Sequence, residues 1–572
     1  MKPRLARRSA PSQASVIAAA PHKVPWPILI AAALLLLACF SPAFQDHDAW
    51  WHLKTGQYIV QNHKLPVPDP FAFTTYLGKP AYAGEDATRY FNLTHEWLAQ
   101  AAMYVAYAAG GFPLVVLLRA LLMAAAAGLT GLIAFRRTAS FYSATGAALL
   151  SAVVSYPFAY DRPLLVTFLF VASVMAMVEY RRWLWALPVL FVVWANCHGG
   201  FFMGWAVLAA YCAETMVRRR PDRLLYGVTA ASVLASGLNP NGFRVFTTLL
   251  EYRQSYMQSL LAEWRPTPLW PPSPFLAVAA AAGVLLVLAG RKVRLADWFL
   301  FAAFAIAGLY AFRNVVYMAI AGPVAIAAYL PWKLKPLAAK WELAIALVLL
   351  AAIALPASQK RTFQLSAWEA TRPSGAVRFL LAHHVTGPMF NTYEQGGYLM
   401  WYLSPQLKVF VDGRALNETV FKDYRRITYS IANPGEKSAL QLLDQYGVQT
   451  IVMTGYEYFT GSPHFLIAVL ADPRQTEWKL VYQDAEGMVF MRQPPPGVQA
   501  LPNIAALTSM QAQCAAHINL VPDEPLCARE TCKLYEHLGN LDQARAWMAY
   551  YLEHKREPDP EAETEYQRLT RR

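Results

Sequence analysis

Apolar runs separated by short polar connections dominate the chain from residue 26 to residue 357. They fall at approximately 26–44, 113–134, 141–160, 163–180, 183–197, 200–217, 223–238, 273–290, 295–311, 314–330 and 341–357. Runs of this kind match the thickness of a bilayer's hydrocarbon core. They predict about eleven transmembrane helices, several of them short or interrupted by proline. Residues 45–112 break the series. Within 50–63, Trp50, Trp51, Leu53, Tyr58, Ile59 and Val60 interleave with Lys54, Gln57, Gln61 and Asn62, a pattern suited to an amphipathic helix lying in the interface. The Pro66–Pro70 stretch ends it, and Thr94 is a candidate N-cap for the apolar helix that follows, to Ala109.

After Ser358 the pattern becomes that of a soluble domain. Val377–His383 and about 436–446 read as helices. Pro388–Asn391, Leu407–Asp412 and Val448–Met453 read as short buried strands, and 478–483 with 488–492 as a terminal hairpin. Strands alternating with helices predict a small α/β domain over 358–493. Pro494-Pro495-Pro496-Gly497 marks a linker, and residues 494–572 complete the chain with a helical tail. Leu538–Arg545 in that tail resembles one tetratricopeptide-type helix pair. A single unit builds no solenoid, so it is expected to pack on a neighbour.

Composition agrees with a membrane part joined to a water-exposed part: of 572 residues, 56% are hydrophobic and 15% charged. A net charge of +13 invites a nucleic-acid partner, but the positions of the charges argue against one. Basic residues collect in alternate connections: Arg136-Arg137, Arg181-Arg182, Arg218-Arg219-Arg220 with Arg223, Arg291-Lys292 with Arg294, and Lys333, Lys335 and Lys340. The positive-inside rule assigns these to the cytosol, together with a basic N-terminal tail over 1–25. The opposite connections carry single charges with His, Asn, Gly and Pro. They include the 45–112 loop, Tyr160–Pro163, Asn196–Gly200, Leu238–Gly242, 251–272 and Phe312–Asn314. On this topology the 26–357 membrane domain delivers all of them, and the C-terminal domain, to the extracytoplasmic side. Cys39, Cys197 and Cys212 lie in apolar runs as packing residues, whereas one disulfide among Cys514, Cys527 and Cys532 is compatible with an extracytoplasmic tail.

Chemistry concentrates on the outer set. Asp46 and Asp48 stand at the end of the first span, where carboxylates are costly unless something polar needs them; they suit a general base and a ligand for metal or substrate, or else a capping cluster in a wet loop. His95-Glu96 adds a second imidazole and acid, although Glu in a first helical turn is favourable in itself. Arg162 and Arg313 place guanidinium forks at outer span ends, suited to phosphate, with snorkelling as the plainer reading. His198-Gly199-Gly200 interrupts an apolar run and reads as a site wall. Asp412-Gly413-Arg414 reads first as a turn, with substrate contact as the alternative.

An Asp-x-Asp pair after the first span, a long outer loop with an amphipathic helix, a second acid near its end and a soluble C-terminal domain resemble the GT-C superfamily of membrane glycosyltransferases. Asp48–Gly56, His95–Leu98, Asn196-x-His198-Gly199 and Val411–Arg414 look like a group of uncharacterised bacterial members. The resemblance implies a polytopic, GT-C-like membrane domain followed by the α/β domain and a short TPR-like segment, in a bacterial inner membrane. It implies sugar transfer, with inversion, from a polyprenyl-phosphate donor to a glycan, lipid or protein acceptor. Asp48 or Asp46 would then be the base, with Asp48 preferred. Arg162 and Arg313 would hold the lipid phosphate, and His95, Glu96 and His198 would shape the sugar or acceptor site. No cofactor is required by it; in some members Mg or Mn assists, for which Asp46, Asp48 and Glu96 are the candidate ligands. The other class of function is a non-catalytic binding or assembly factor for lipid-linked glycans.

Overall fold

The computed structural model describes residues 24–251, 255–260, 262–332, 334–457, 460–520, 525–555 and 558–571. The tail expected to be cytosolic lies outside these residues as far as Lys23, as does Lys333. A backbone in hydrocarbon must satisfy its own hydrogen bonds, and every apolar run is accordingly helical. The first part of the chain comprises α1 (Trp26–Cys39), α2 (Ala49–Asn62), α3 (Glu85–Thr94), α4 (Trp97–Thr138), α5 (Phe141–Ser155), α6 (Leu164–Tyr180), α7 (Leu187–Cys197), α8 (Phe202–Val217) and α9 (Arg223–Ala235). After two short helices, α10 (Val245–Glu251) and α11 (Tyr256–Leu260), come α12 (Pro274–Ala289), α13 (Leu295–Tyr310), α14 (Val315–Tyr329) and α15 (Ala339–Ser358). By length and composition, five helical stretches among the described residues can cross a membrane; five further apolar helices are shorter, at 10–17 residues.

α4 carries the outer loop into the bilayer. Gly110 and Gly111 leave helical geometry, with φ of 62° at Gly111, and kink the helix between its outer arm and its spanning part. α14 is the most enclosed helix, with every residue from Val315 to Ala325 buried, and it packs on α4, α5, α12 and α13. Charges mark the two ends of the bundle. α6 begins just after Arg162 and ends beside Glu179, where Arg294 pairs with Glu179 at 2.9 Å and Arg137 with Asp297 at 2.8 Å. Two of the basic connections assigned to the cytosol therefore meet at one end, and the polar loops meet at the other.

The part after α15 contains α16 (Ser374–Ala382), β1 (Met389–Asn391), α17 (Gly396–Leu403), α18 (Glu418–Thr428), α19 (Ala439–Gln445), β2 (Thr450–Met453), α20 (Leu466–Ala471), β3 (Lys479–Gln483) and β4 (Met488–Met491). The sheet runs in the order β1-β2-β4-β3. β1 pairs in parallel with β2 through Met389 and Thr450. β4 runs antiparallel to both neighbours, with Phe490 opposite Ile451 and Leu480. The tail forms α21 (Ala505–Leu520), α22 (Leu526–His537), α23 (Leu541–His554) and α24 (Pro560–Arg571). One apolar cluster extends from Phe390 in the sheet to Leu569 in α24, so the tail does pack on a neighbour. Cys514 and Cys527 form a disulfide and Cys532 is a buried free thiol.

Three local expectations differ from the structure. Leu407–Asp412 is not a sheet strand. Val409 exchanges backbone hydrogen bonds with Phe71 and Phe73 of the outer loop, and the Asn391 side chain bonds Phe410 N–H and Val411 C=O, so its backbone is satisfied without a ladder. Thr94 does not cap α4: it is the last residue of α3, its hydroxyl donates to Tyr90 C=O at 2.7 Å, and Glu96 holds the cap position. Nor does α2 lie open in an interface. Trp50 and Leu53 are fully buried, because α17 covers one side of the helix and the outer arm of α4 the other.

Candidate active site

The first element of the site is the turn between α1 and α2. Asp46 accepts the Asp48 backbone N–H at 3.0 Å, which tightens the turn and sets the two carboxylates side by side. Arg162, held just ahead of α6 by the rigid ring of Pro163, faces both. Its Nε and Nη2 grip Asp46 as a fork, the second bond at 2.9 Å, and its Nη1 reaches Asp48 at 3.0 Å. The loop is anchored from beneath, since Arg119 of α4 donates to Asp161 at 2.5 Å and to Phe40 C=O at 3.2 Å. Asp161 thus pairs with a span arginine and not with its neighbour Arg162.

These surroundings separate the two aspartates. Burial acts to raise the proton affinity of both. At Asp46 the paired guanidinium outweighs it and holds the carboxyl below its usual range. At Asp48 burial prevails over the pull of Arg162, the Asp46 charge adds to it, and the carboxyl is pushed up to about 6. Two neighbouring carboxylates with divergent proton affinities suit different tasks, one a fixed anion and the other a titratable group.

The second cluster surrounds Glu96, whose carboxylate lies 3.4 Å from His95 Nε2, 3.6 Å from His52 Nδ1 and 3.8 Å from His198 Nε2. The break after α7 aims His198. Its Nδ1 accepts from Gly200 N–H at 3.0 Å and takes a 2.8 Å bond with the Thr167 hydroxyl, which leaves Nε2 carrying the hydrogen towards Glu96. Gly200 is required there, because a Cβ would sit 2.7 Å from Thr167 Oγ1. His52 joins the two clusters. Burial pushes its imidazole down to about 4, while Glu96 and Asp46 oppose that shift and Arg162 adds to it.

Arg313 lies over the Trp264 ring, 4.5 Å from its centroid, and reaches the others through a residue that sequence reasoning passed over. Glu263 pairs with Arg313 Nη1 at 3.1 Å and lies 3.7 Å from Arg162 Nη1, so one carboxylate bridges two guanidiniums. The 251–272 loop holds two acids, Glu251 and Glu263, and no spacing sets Glu263 apart. Arg119 did give a signal: it is an arginine inside an apolar run.

The soluble domain closes over the turn. His47 Nδ1 bonds Glu394 C=O at 3.1 Å, Arg372 contacts the His47 ring and donates to Gln45 C=O at 2.7 Å, and Gly397 and Gly413 lie against the turn. Asp412 and Arg414 form no part of an open surface. Both are buried, and Arg414 joins Asp412 at 2.7 Å to Asp69 of the outer loop at 2.9 Å. The three acids named as candidate metal ligands do not converge. Asp46 is taken by Arg162, Glu96 by its histidines, and among the described residues no group of three or more His, Cys, Asp or Glu is placed to hold a metal ion. As arranged, these residues do not fit a resident divalent cation.

No protein-family model matches the sequence, and no curated protein matches it. Solved structures do. The archaeal oligosaccharyltransferase AglB from Archaeoglobus fulgidus, in complex with an inhibitory peptide and a dolichol-phosphate, superposes with a TM-score of 0.52 at 11% identity, over 86% of this chain and 77% of that one. The oligosaccharyltransferase of the same organism in its apo form gives 0.51, also at 11% identity, over 86% and 78%. The chain therefore shares the fold of these oligosaccharyltransferases over 86% of its length.

Proposed function

We propose that the protein is a membrane glycosyltransferase that moves a sugar from a polyprenyl-phosphate donor to an acceptor hydroxyl or amide on the extracytoplasmic side. The observation that carries this reading is a titratable carboxylate beside two arginines already bridged by an anionic group: Asp48 next to Arg162, with Glu263 spanning Arg162 and Arg313. The Glu263 carboxylate marks a place where an oxyanion fits. A lipid phosphate that takes over this bridge lies within reach of the same turn. Asp48 removes the acceptor proton, the freed electron pair attacks the anomeric carbon, and the sugar–oxygen bond to phosphate breaks. The charge that develops on the leaving phosphate falls on Arg162 and Arg313, fixed before the reaction begins. A single displacement of this kind inverts the anomeric centre. His95, Glu96 and His198 form the wall that orients the sugar or acceptor. The disulfide between Cys514 and Cys527 supports an extracytoplasmic C-terminal domain, since such bonds persist in oxidising compartments.

The test uses the full chain in detergent or lipid nanodiscs with a labelled polyprenyl-phosphate hexose. Transfer or slow hydrolysis is expected, lost in Asp48→Asn and strongly reduced in Asp46→Asn. Full activity in Asp48→Asn refutes the assignment of the base. Donor that binds but stays intact on prolonged incubation supports the non-catalytic reading instead.

A further inference from the structure

The geometry points to Gly413, 365 positions after Asp48, as a positioning residue for that carboxylate: the soluble domain holds a strut against Asp48 and sets where its oxygens can go. The inference rests on the proposed role of Asp48 as base. A Cβ built on Gly413 would lie 2.0 Å from Asp48 Oδ1, 3.0 Å from its Cγ and 2.9 Å from Trp51 Nε1. Gly413 lacks a positive φ, so the backbone itself accepts other residues. The space does not.

The strut is stiff on both sides. Asp412 and Arg414 flank the glycine. Arg414 donates to Asp412 through backbone and side chain, at 3.0 and 2.7 Å, and to both oxygens of Asp69 at 2.9 and 3.2 Å. Gly413 C=O accepts from the Tyr393 hydroxyl at 3.2 Å. Asp48 is less constrained: its carboxylate is about a quarter exposed and pairs with Arg162. When a methyl group is added at 413, the ends of this contact yield unequally, and the side chain that rotates is Asp48. It then leaves the 3.0 Å contact with Arg162. Asp46, Arg162, Glu263 and Trp51 are the groups that face Asp48 from the turn, the connection ahead of α6, the 251–272 loop and α2, and of these Arg162 is the one whose pull is lost.

Gly413→Ala is compared with wild type and Asp48→Asn in nanodiscs, with polyprenyl monophosphate as binding probe and infrared titration of the carboxyl groups as a readout independent of turnover. The expected result is a kcat lower by about tenfold or more, affinity for the probe unchanged, and the carboxyl signal that is absent in Asp48→Asn shifted to higher pH. An unshifted Asp48 titration with unchanged kcat overturns the inference. If Asp48→Asn retains full activity, the base assignment fails, while the titration still shows whether residue 413 places Asp48. Should Gly413→Ala fold poorly, Gly413→Ala combined with Asp48→Ala removes the colliding oxygen. Recovery of the Asp48→Ala melting temperature supports the strut, and no recovery overturns it.

Discussion

Replacing Arg162 by glutamine removes the charge that both aspartates face and keeps a side chain able to donate hydrogen bonds. In the wild type, a base that titrates at about 6 makes the rate of transfer rise with pH through that value. One unit below it, about a tenth of Asp48 is ionised, so the rate falls about tenfold. The Arg162 contact at 3.0 Å corresponds to a ceiling of about 5 kcal/mol at an effective dielectric constant near 20. Screening reduces it, since the guanidinium is 29% exposed. A residual of at least about 1.4 kcal/mol moves the acid limb of the profile upwards by at least about one pH unit. The assay is initial-rate turnover of a labelled polyprenyl-phosphate hexose from about pH 5 to pH 9, with melting curves at each pH to separate unfolding from titration. An acid limb in Arg162→Gln at or below the wild-type position, or a wild-type rate flat down to about pH 5, refutes the reasoning.

Two further outcomes concern how the soluble domain is held. Arg414→Met leaves Asp69 and Asp412 buried and unpaired, so the fold should lose about 3–5 kcal/mol. A markedly lower melting temperature and faster proteolysis between the outer loop and the C-terminal domain would show it. Replacing Cys514 and Cys527 together by serine opens a 13-residue loop and should cost about 3 kcal/mol. The wild type in reductant should melt at the same lowered temperature, and a stability indifferent to both treatments would contradict the pairing.

Much of the bundle was legible because hydrocarbon leaves a backbone little choice: apolar runs such as 113–134 and 314–330 can only be helices. The meeting of Asp46, Asp48 and Arg162 was legible too, since the charge asymmetry puts these helix ends on one side and the structure joins them. What escaped depends on partners distant in the chain. Leu407–Asp412 alternates like a strand, yet its backbone partners are Phe71, Phe73 and the Asn391 side chain. Asp412-Gly413-Arg414 carries a turn signal, but nothing local reveals that Asp69 locks it or that Asp48 lies against the glycine. Glu263 was invisible because it acts by bridging two arginines from different loops.

The Arg119–Asp161 pair bears on how the chain enters the membrane. The partners are 42 residues apart, so the arginine emerges from the ribosome well before its aspartate. An arginine within an apolar helix raises the cost of insertion by up to about 2.5–3.5 kcal/mol at mid-span. Arg119 lies near the outer end of its span, and Phe40 C=O and Pro42 C=O of the preceding helix-to-loop junction are its first available acceptors. α4 is therefore best inserted while α1 is still beside it, and it gains its ionic partner only when the turn ahead of α6 reaches the same end of the bundle. Assembly of α1, α4 and the turn ahead of α6 becomes a collective event, and the turn that bears Asp46 and Asp48 is set as that event completes.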